Sequence, residues 1–173
     1  MTMNHRAFGF RWNEFSSRLE PTLREYLRGN TGPLVEYATT HISELADPDE
    51  ETRLTSRHLA ESVRTRNFEF VADACITRYY DVTSDVGVGD DFLHLSRELA
   101  ALGSDYESLL LGFPIREDGV SLDRGKMGTY FSTSEDVTEK KTLLESIGSP
   151  QLTNLIAPML EAGEAIGGLY VTF

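Results

Sequence analysis

The 173-residue sequence predicts a single α+β domain over residues 1–173, with N-terminal helices followed by a mostly antiparallel sheet and two or three further helices. Three observations favour this class. Apolar residues recur every three or four positions before Asn67, short aromatic and β-branched runs follow it, and several elements carry their own start or stop residues. A hydrophobic fraction of 40% is typical of a chain that folds around a core.

Three helical regions are predicted in the N-terminal part. A helical stripe runs from Arg11 to Arg28, and Pro21 interrupts it, which predicts either a kinked helix or two short helices. Pro33 suits the first turn of the next helix. A third helix is predicted to begin at Asp47, as N-cap, and to end near Arg64.

After Asn67 the pattern changes. The run "FEFVADACITRYYDV" is rich in aromatic and β-branched residues, and its apolar side chains alternate, which predicts a long strand over residues 68–82. The "TSDVGVGDD" segment is predicted as a loop. Asp90 or Asp91 then caps a helix that Gly103 ends. The runs "SLLLGFPIRE" and "GVSLD" are predicted strands of a hairpin around the "EDG" turn.

The last part of the chain carries the clearest local signals. The run "MGTYFST" predicts a strand. Ser132 or Thr133 then caps a helix with acids in its first turn, and Gly148 closes it. A short apolar helix leads by way of Gly163 to "AIGGLYVTF", a strand ending at Phe173. We expect this strand to be paired in a sheet, because exposed apolar strands promote aggregation.

Composition excludes several classes of protein. No apolar run approaches the roughly 18 residues that a membrane helix needs. The N-terminal sequence has no apolar core of a secretory signal, so a cytoplasmic location is expected. A lone cysteine, Cys75, can form neither an internal disulfide nor a thiolate zinc cage, and we expect it to be buried.

Charge is distributed unevenly along the chain. Residues 1–66 carry nine arginines against ten acids, whereas residues 67–173 carry seven basic residues against eighteen acids. Nearly all of the formal net charge of −12 therefore comes from the C-terminal part. Such a surface attracts cationic partners and repels phosphate backbones, which favours a basic protein partner and disfavours nucleic acid.

Two cofactor motifs fail on inspection of the "DVTSDVGVGDDF" loop. A calcium loop starting at Asp81 would place Val86 where glycine is needed and Phe92 where a bidentate glutamate is needed. The "GVGDDF" run resembles the start of a dinucleotide-binding loop but lacks the third glycine, and Asp90 and Asp91 would repel a pyrophosphate. No metal and no cofactor are therefore expected.

Catalytic signatures are equally incomplete. His94 lies four residues before Glu98, a spacing that could hold an acid–base pair, and His58 with Glu61 is a similar pair. Neither forms a metalloprotease motif, and no "GxSxG" nucleophile motif is present. The basic loop with Arg124 and Lys126 could hold a phosphate or could simply be a turn that enters a strand.

The stretch Tyr80–Glu107 contains seven acids against a single cation, Arg97. We predict a non-catalytic acidic binding protein that neutralises or escorts a basic partner, such as a toxin-immunity or antitoxin-type inhibitor or a secretion chaperone. Three alternatives remain open: an ordinary solvated acidic surface, a small enzyme using His94 and nearby carboxylates or the Lys126 loop on a small-molecule substrate, or a purely structural subunit. The predicted partner-binding residues are Asp81, Asp85, Asp90, Asp91, Asp105, Glu107, Tyr80 and Tyr106.

Overall fold

A computed structural model describes residues 3–41, 56–122 and 128–173, except for the side chains of residues 56 and 57. Its helices and small antiparallel sheets confirm the predicted α+β class. The predicted helix start at Asp47 and the basic loop of Arg124 and Lys126 lie outside the described residues. Among the helices in the described ranges, none is long and apolar enough to cross a membrane.

The elements follow in the order β1 (Arg6–Gly9), α1 (Trp12–Arg18), α2 (Glu20–Leu27), α3 (Gly32–Thr40), α4 (Ser56–Arg64), α5 (Phe68–Ile76), α6 (Phe92–Leu102), β2 (Arg116–Glu117), β3 (Val120–Ser121), β4 (Tyr130–Thr133), α7 (Ser134–Ile147), α8 (Pro150–Ile166) and β5 (Gly168–Thr172). Two 3-10 helices, Thr77–Tyr79 and Ser104–Leu110, follow α5 and α6.

The C-terminal strand β5 is the centre of a three-stranded antiparallel sheet with the order β1-β5-β4. Arg6 lies opposite Thr172 on one side of β5, and Tyr130 lies opposite Val171 on the other. The predicted pairing of the terminal strand is thus confirmed. Strand β1 was not predicted, because its four residues are too short a pattern to separate from the helical stripe that follows.

The sheet separates two cores. Side chains alternate between the faces of a strand, so Phe8, Phe131 and Tyr170 point to one face while Leu169 and Val171 point to the other. The first face packs against α1, α2, α3 and α5 and is rich in aromatic rings. The second packs against α6, α7 and α8, whose buried side chains are mostly aliphatic.

The predicted strand over residues 68–82 is wrong, because most of this segment is helical. Helix α5 covers Phe68–Ile76, and the Asn67 side chain caps it by accepting a hydrogen bond from the Phe70 N–H at 3.5 Å. The helix is nearly apolar throughout and is packed into the core, with Val71, Ala72, Ala74, Cys75 and Ile76 all buried. Periodicity does not distinguish a helix buried in this way from a buried strand.

Other local predictions are confirmed or corrected in detail. The stripe around Pro21 forms two short helices, α1 and α2. The segment predicted as the first hairpin strand begins in a 3-10 helix, but the hairpin itself forms, with Asp118 and Gly119 at positive φ in its turn. Asp91 occupies the N-cap position of α6, although its side chain makes no capping hydrogen bond.

The last two helices follow their local signals closely. Thr133, not Ser132, caps α7 through a capping box with Asp136, and Gly148 ends the helix in a left-handed conformation. Helix α8 is longer than predicted and continues through Gly163. A Cβ at Gly163 would lie 2.6 Å from Leu169 Cγ, so the glycine serves close helix–sheet packing and does not end the helix.

Candidate functional site

The loop between α5 and α6 covers the free edge of β1. The Val86 N–H donates to the Ala7 carbonyl at 2.8 Å, and His5 and Gly89 exchange two backbone hydrogen bonds. Asp85 reinforces this pairing, because its Oδ1 accepts from the Ala7 N–H at 3.1 Å and from the Gly87 N–H at 2.9 Å. The Asp85 carboxylate therefore holds the loop in place.

Asp81 stabilises its own turn at the start of this loop. Its carboxylate accepts hydrogen bonds from the Thr83 N–H at 3.0 Å, the Thr83 hydroxyl at 2.7 Å and the Ser84 hydroxyl at 2.9 Å. These bonds favour the charged form and lower the pKa of Asp81. The side chain remains exposed and negatively charged.

The remaining predicted acids flank the two ends of α6. Asp90 and Asp91 precede the helix, whereas Asp105 and Glu107 lie in the 3-10 helix after it. An eleven-residue helix spans about 16 Å at 1.5 Å per residue, so the acids that crowd together in the sequence are spread over a surface. All four are exposed, and none lies within ion-pair distance of a cation in the described part of the chain.

The predicted tyrosines contribute differently. Tyr80 is only 6% exposed and packs against Phe8 and Tyr170, with ring centroids 4.7 and 5.0 Å away. It is a core residue, so a partner docked on this fold would not touch it. Tyr106 is half-buried, because part of its ring packs against the aliphatic core.

The alternative site at His94 is a surface pair. Its side chain is 72% exposed, and Nε2 lies 3.3 Å from Glu98 Oε1. In the other predicted pair, His58 with Glu61, the Glu61 carboxylate accepts a hydrogen bond from Arg64 Nε at 3.0 Å. Within the described ranges, no group of three or more His, Cys, Asp or Glu side chains could hold a metal ion.

His5 and Lys140 are buried titratable groups that the sequence prediction missed. His5 is fully buried; the Val88 N–H donates to its Nδ1 at 3.1 Å, so Nε2 carries the proton that it donates to the Leu110 carbonyl at 2.6 Å. Burial lowers the pKa of His5. Without a predicted strand β1, the sequence offered no reason to place His5 inside.

Lys140 is the second such group. Only 6% of it is exposed, and Nζ donates to the Leu111 carbonyl and to Ser132 Oγ, the latter at 2.9 Å. It lines a cavity of about 430 Å³ between α7, β4 and the segment that follows the second 3-10 helix. Its spacing from Val137 and Leu144 on one helical face was a usable signal, because that face is the buried one.

Cys75 is buried, as predicted, and burial raises the pKa of its thiol to about 12.

No protein-family model matches the chain, and no curated protein or solved structure is significantly similar to it. Any functional conclusion therefore depends on the geometry and charge described above.

Proposed function

We propose that this protein is a non-catalytic acidic binding protein that neutralises or escorts a basic protein partner. A toxin-immunity or antitoxin-type inhibitor is the most concrete version, and a secretion chaperone belongs to the same electrostatic class. The observation that carries the proposal is the exposure of the acids around α6. Asp90, Asp91, Asp105 and Glu107 all face solvent without a described cation at ion-pair distance.

Unpaired carboxylates on one surface raise the local concentration of a cationic partner and speed its association. Asp81 adds a fixed negative charge at the start of the loop, since its hydrogen bonds favour the ionised form. Asp85 has a supporting role, because its carboxylate is bonded to two backbone N–H groups. Among the predicted tyrosines, Tyr106 is half-buried and is therefore the one that a partner could contact.

The competing proposal of an enzyme based on His94 receives no support from this geometry. A general acid or base works in a pocket where neighbouring groups converge on a substrate. His94 projects from the surface of α6 and has a single exposed carboxylate, that of Glu98, as its partner.

The experiment compares three immobilised chains as baits in native lysate at low and high salt. The first is unchanged, the second carries Asp90→Lys with Asp91→Lys, and the third carries Glu36→Lys with Glu69→Lys. Both variants change the net charge equally, but Glu36 and Glu69 are exposed acids on α3 and α5, away from the proposed surface. Captured proteins are quantified by mass spectrometry.

We expect a basic protein to bind the unchanged chain at low salt and to be released at high salt, because salt screens exposed charges. Its capture should fall at least about tenfold on the Asp90 and Asp91 variant and much less on the control. Equal loss on both variants would show a nonspecific response to net charge. Equal binding to all three chains, or no basic partner at either salt, would contradict the proposal.

A further inference from the structure

The cavity beside Lys140 has the size and lining of a small-molecule site. Its volume of about 430 Å³ lies within the range of roughly 300–1,000 Å³ that such sites occupy. Phe113 and Leu143 supply apolar walls, and Ser132 and Lys140 supply polar groups on its inner side. Asp136 and Glu139 also line it.

The two described hydrogen bonds of Lys140 satisfy both N–H groups of the neutral amine and leave its lone pair unused. An ammonium group has three N–H donors, whereas a neutral amine has two and a lone pair. The described residues provide two acceptors, the Leu111 carbonyl and Ser132 Oγ. The nearest acid along the helix, Asp136, is engaged with the Thr133 N–H at 2.9 Å, and no described carboxylate forms an ion pair with Lys140.

Burial and a neighbouring carboxylate shift the pKa of Lys140 in opposite directions. Burial lowers the pKa of Lys140 to about 8, and Asp136 opposes this shift. Glu139 lines the same cavity, and on the sheet side the lysine charge in turn lowers the pKa of His5. The adjacent Lys141 behaves in the opposite way, because its hydrogen bond to Glu164 raises its pKa.

We propose that Lys140 is a nucleophilic amine that binds small aldehydes or ketones in this cavity as imines. The Nζ lone pair attacks the carbonyl carbon, and a carbon–nitrogen bond forms. The carbonyl oxygen then leaves as water with the two protons that the amine gives up, and addition of water reverses the reaction. Ser132 Oγ, 2.9 Å from Nζ, is placed to relay a proton during these steps. This site is separate from the acidic surface of the proposed function.

The adjacent lysine provides an internal control. The chain has three lysines, Lys126, Lys140 and Lys141. Lys141 is far more exposed, with 35% of its side chain accessible. If accessibility alone decides reactivity, Lys141 reacts first; if the neutral amine in the cavity decides it, Lys140 reacts first.

The test treats the native protein at about pH 7 with acetone and sodium cyanoborohydride, which reduces an imine to a stable secondary amine. Modified lysines are mapped by peptide mass spectrometry over time. Each unit of pKa difference changes the neutral fraction about tenfold. We therefore expect Lys140 to be modified at least about tenfold faster than Lys141 at this pH.

Lys140→Arg should remove the fast adduct, whereas Lys141→Arg, a matched exchange one residue away, should leave it unchanged. Because Lys140→Arg could perturb folding, the rates of the two lysines in the unchanged protein decide the question by themselves. Faster modification of Lys141, or modification of Lys140 only after unfolding, would overturn the proposal. That result would show that the hydrogen bond between Lys140 and Ser132 only stabilises the fold. It would leave the proposal for the acidic surface unchanged.

Discussion

The two faces of the central sheet are packed with different kinds of side chain. On one face Phe131 lies 5.2 Å from Phe15 and 5.4 Å from Tyr170, centroid to centroid, within a continuous set of aromatic rings. On the other face Leu169 and Val171 pack against aliphatic side chains, and this side also contains His5, Lys140 and the cavity. On this second face, buried polar groups lie among the aliphatic side chains. Two buried titratable groups whose pKa values are lowered by burial, His5 and Lys140, lie on the second side.

The largest effect is expected from removing a ring of the aromatic face. Phe131→Ala should lower the free energy of unfolding by about 3–5 kcal/mol, because the surrounding rings cannot collapse into the space left behind. Val171→Ala, on the opposite face of the neighbouring strand, removes less apolar surface and should cost about 2 kcal/mol. Urea unfolding measures both. Equal costs would contradict the larger contribution of the aromatic face to stability.

A smaller effect is expected where the loop covers β1. Asp85→Ala leaves the Ala7 and Gly87 N–H groups without their acceptor and should cost about 1–3 kcal/mol. Asp90→Ala, five residues further along, removes an exposed carboxylate and should change stability by less than about 0.5 kcal/mol. Thermal and urea unfolding test the pair. Similar costs would show that Asp85 does not hold the loop on the strand edge.

The fold could be predicted wherever the signals are local. Helix α7 follows from its capping box and its glycine stop, because a cap depends on residues only three positions apart. Helix α5 could not be predicted in the same way. Its sequence is compatible with a strand, and it is helical because Asn67 caps it and the aromatic core surrounds it. That surrounding core is a tertiary effect that no short window contains.

The residues of the candidate sites show the same difference between local signals, which the sequence contains, and tertiary contacts, which it does not. Exposure of Asp90 and Asp91 follows from their position before an amphipathic helix, and the sequence was sufficient to predict it. The sequence did not show that Asp85 binds β1 or that Tyr80 enters the core, since β1 itself was missed. The contact of Lys140 with Leu111 joins residues far apart in the chain and becomes visible only when α7 is packed on the sheet.

The smallest expected effect is a pH dependence of the free energy of unfolding, caused by His5 on the aliphatic face. His5 has a folded-state pKa below its ordinary 6.5, so below that pH the unfolded chain binds a proton that the folded chain excludes. The free energy of unfolding should therefore decrease as the pH drops from about 6.5 towards the folded-state pKa of His5. The decrease should be at most about 1.4 kcal/mol per pH unit. Protonation at Nδ1 also removes the acceptor of the Val88 N–H.

His5→Gln should flatten this dependence, because glutamine does not titrate but keeps an amide that can donate to the Leu110 carbonyl. The measurement is the free energy of unfolding at about pH 7.5 and 5.5 for both proteins. His94→Gln is the matched control, since His94 is 72% exposed and its exchange should leave the slope unchanged. An equal slope in all three proteins would show that groups other than His5 cause the pH dependence. Burial on the aliphatic face would then have no consequence near neutral pH.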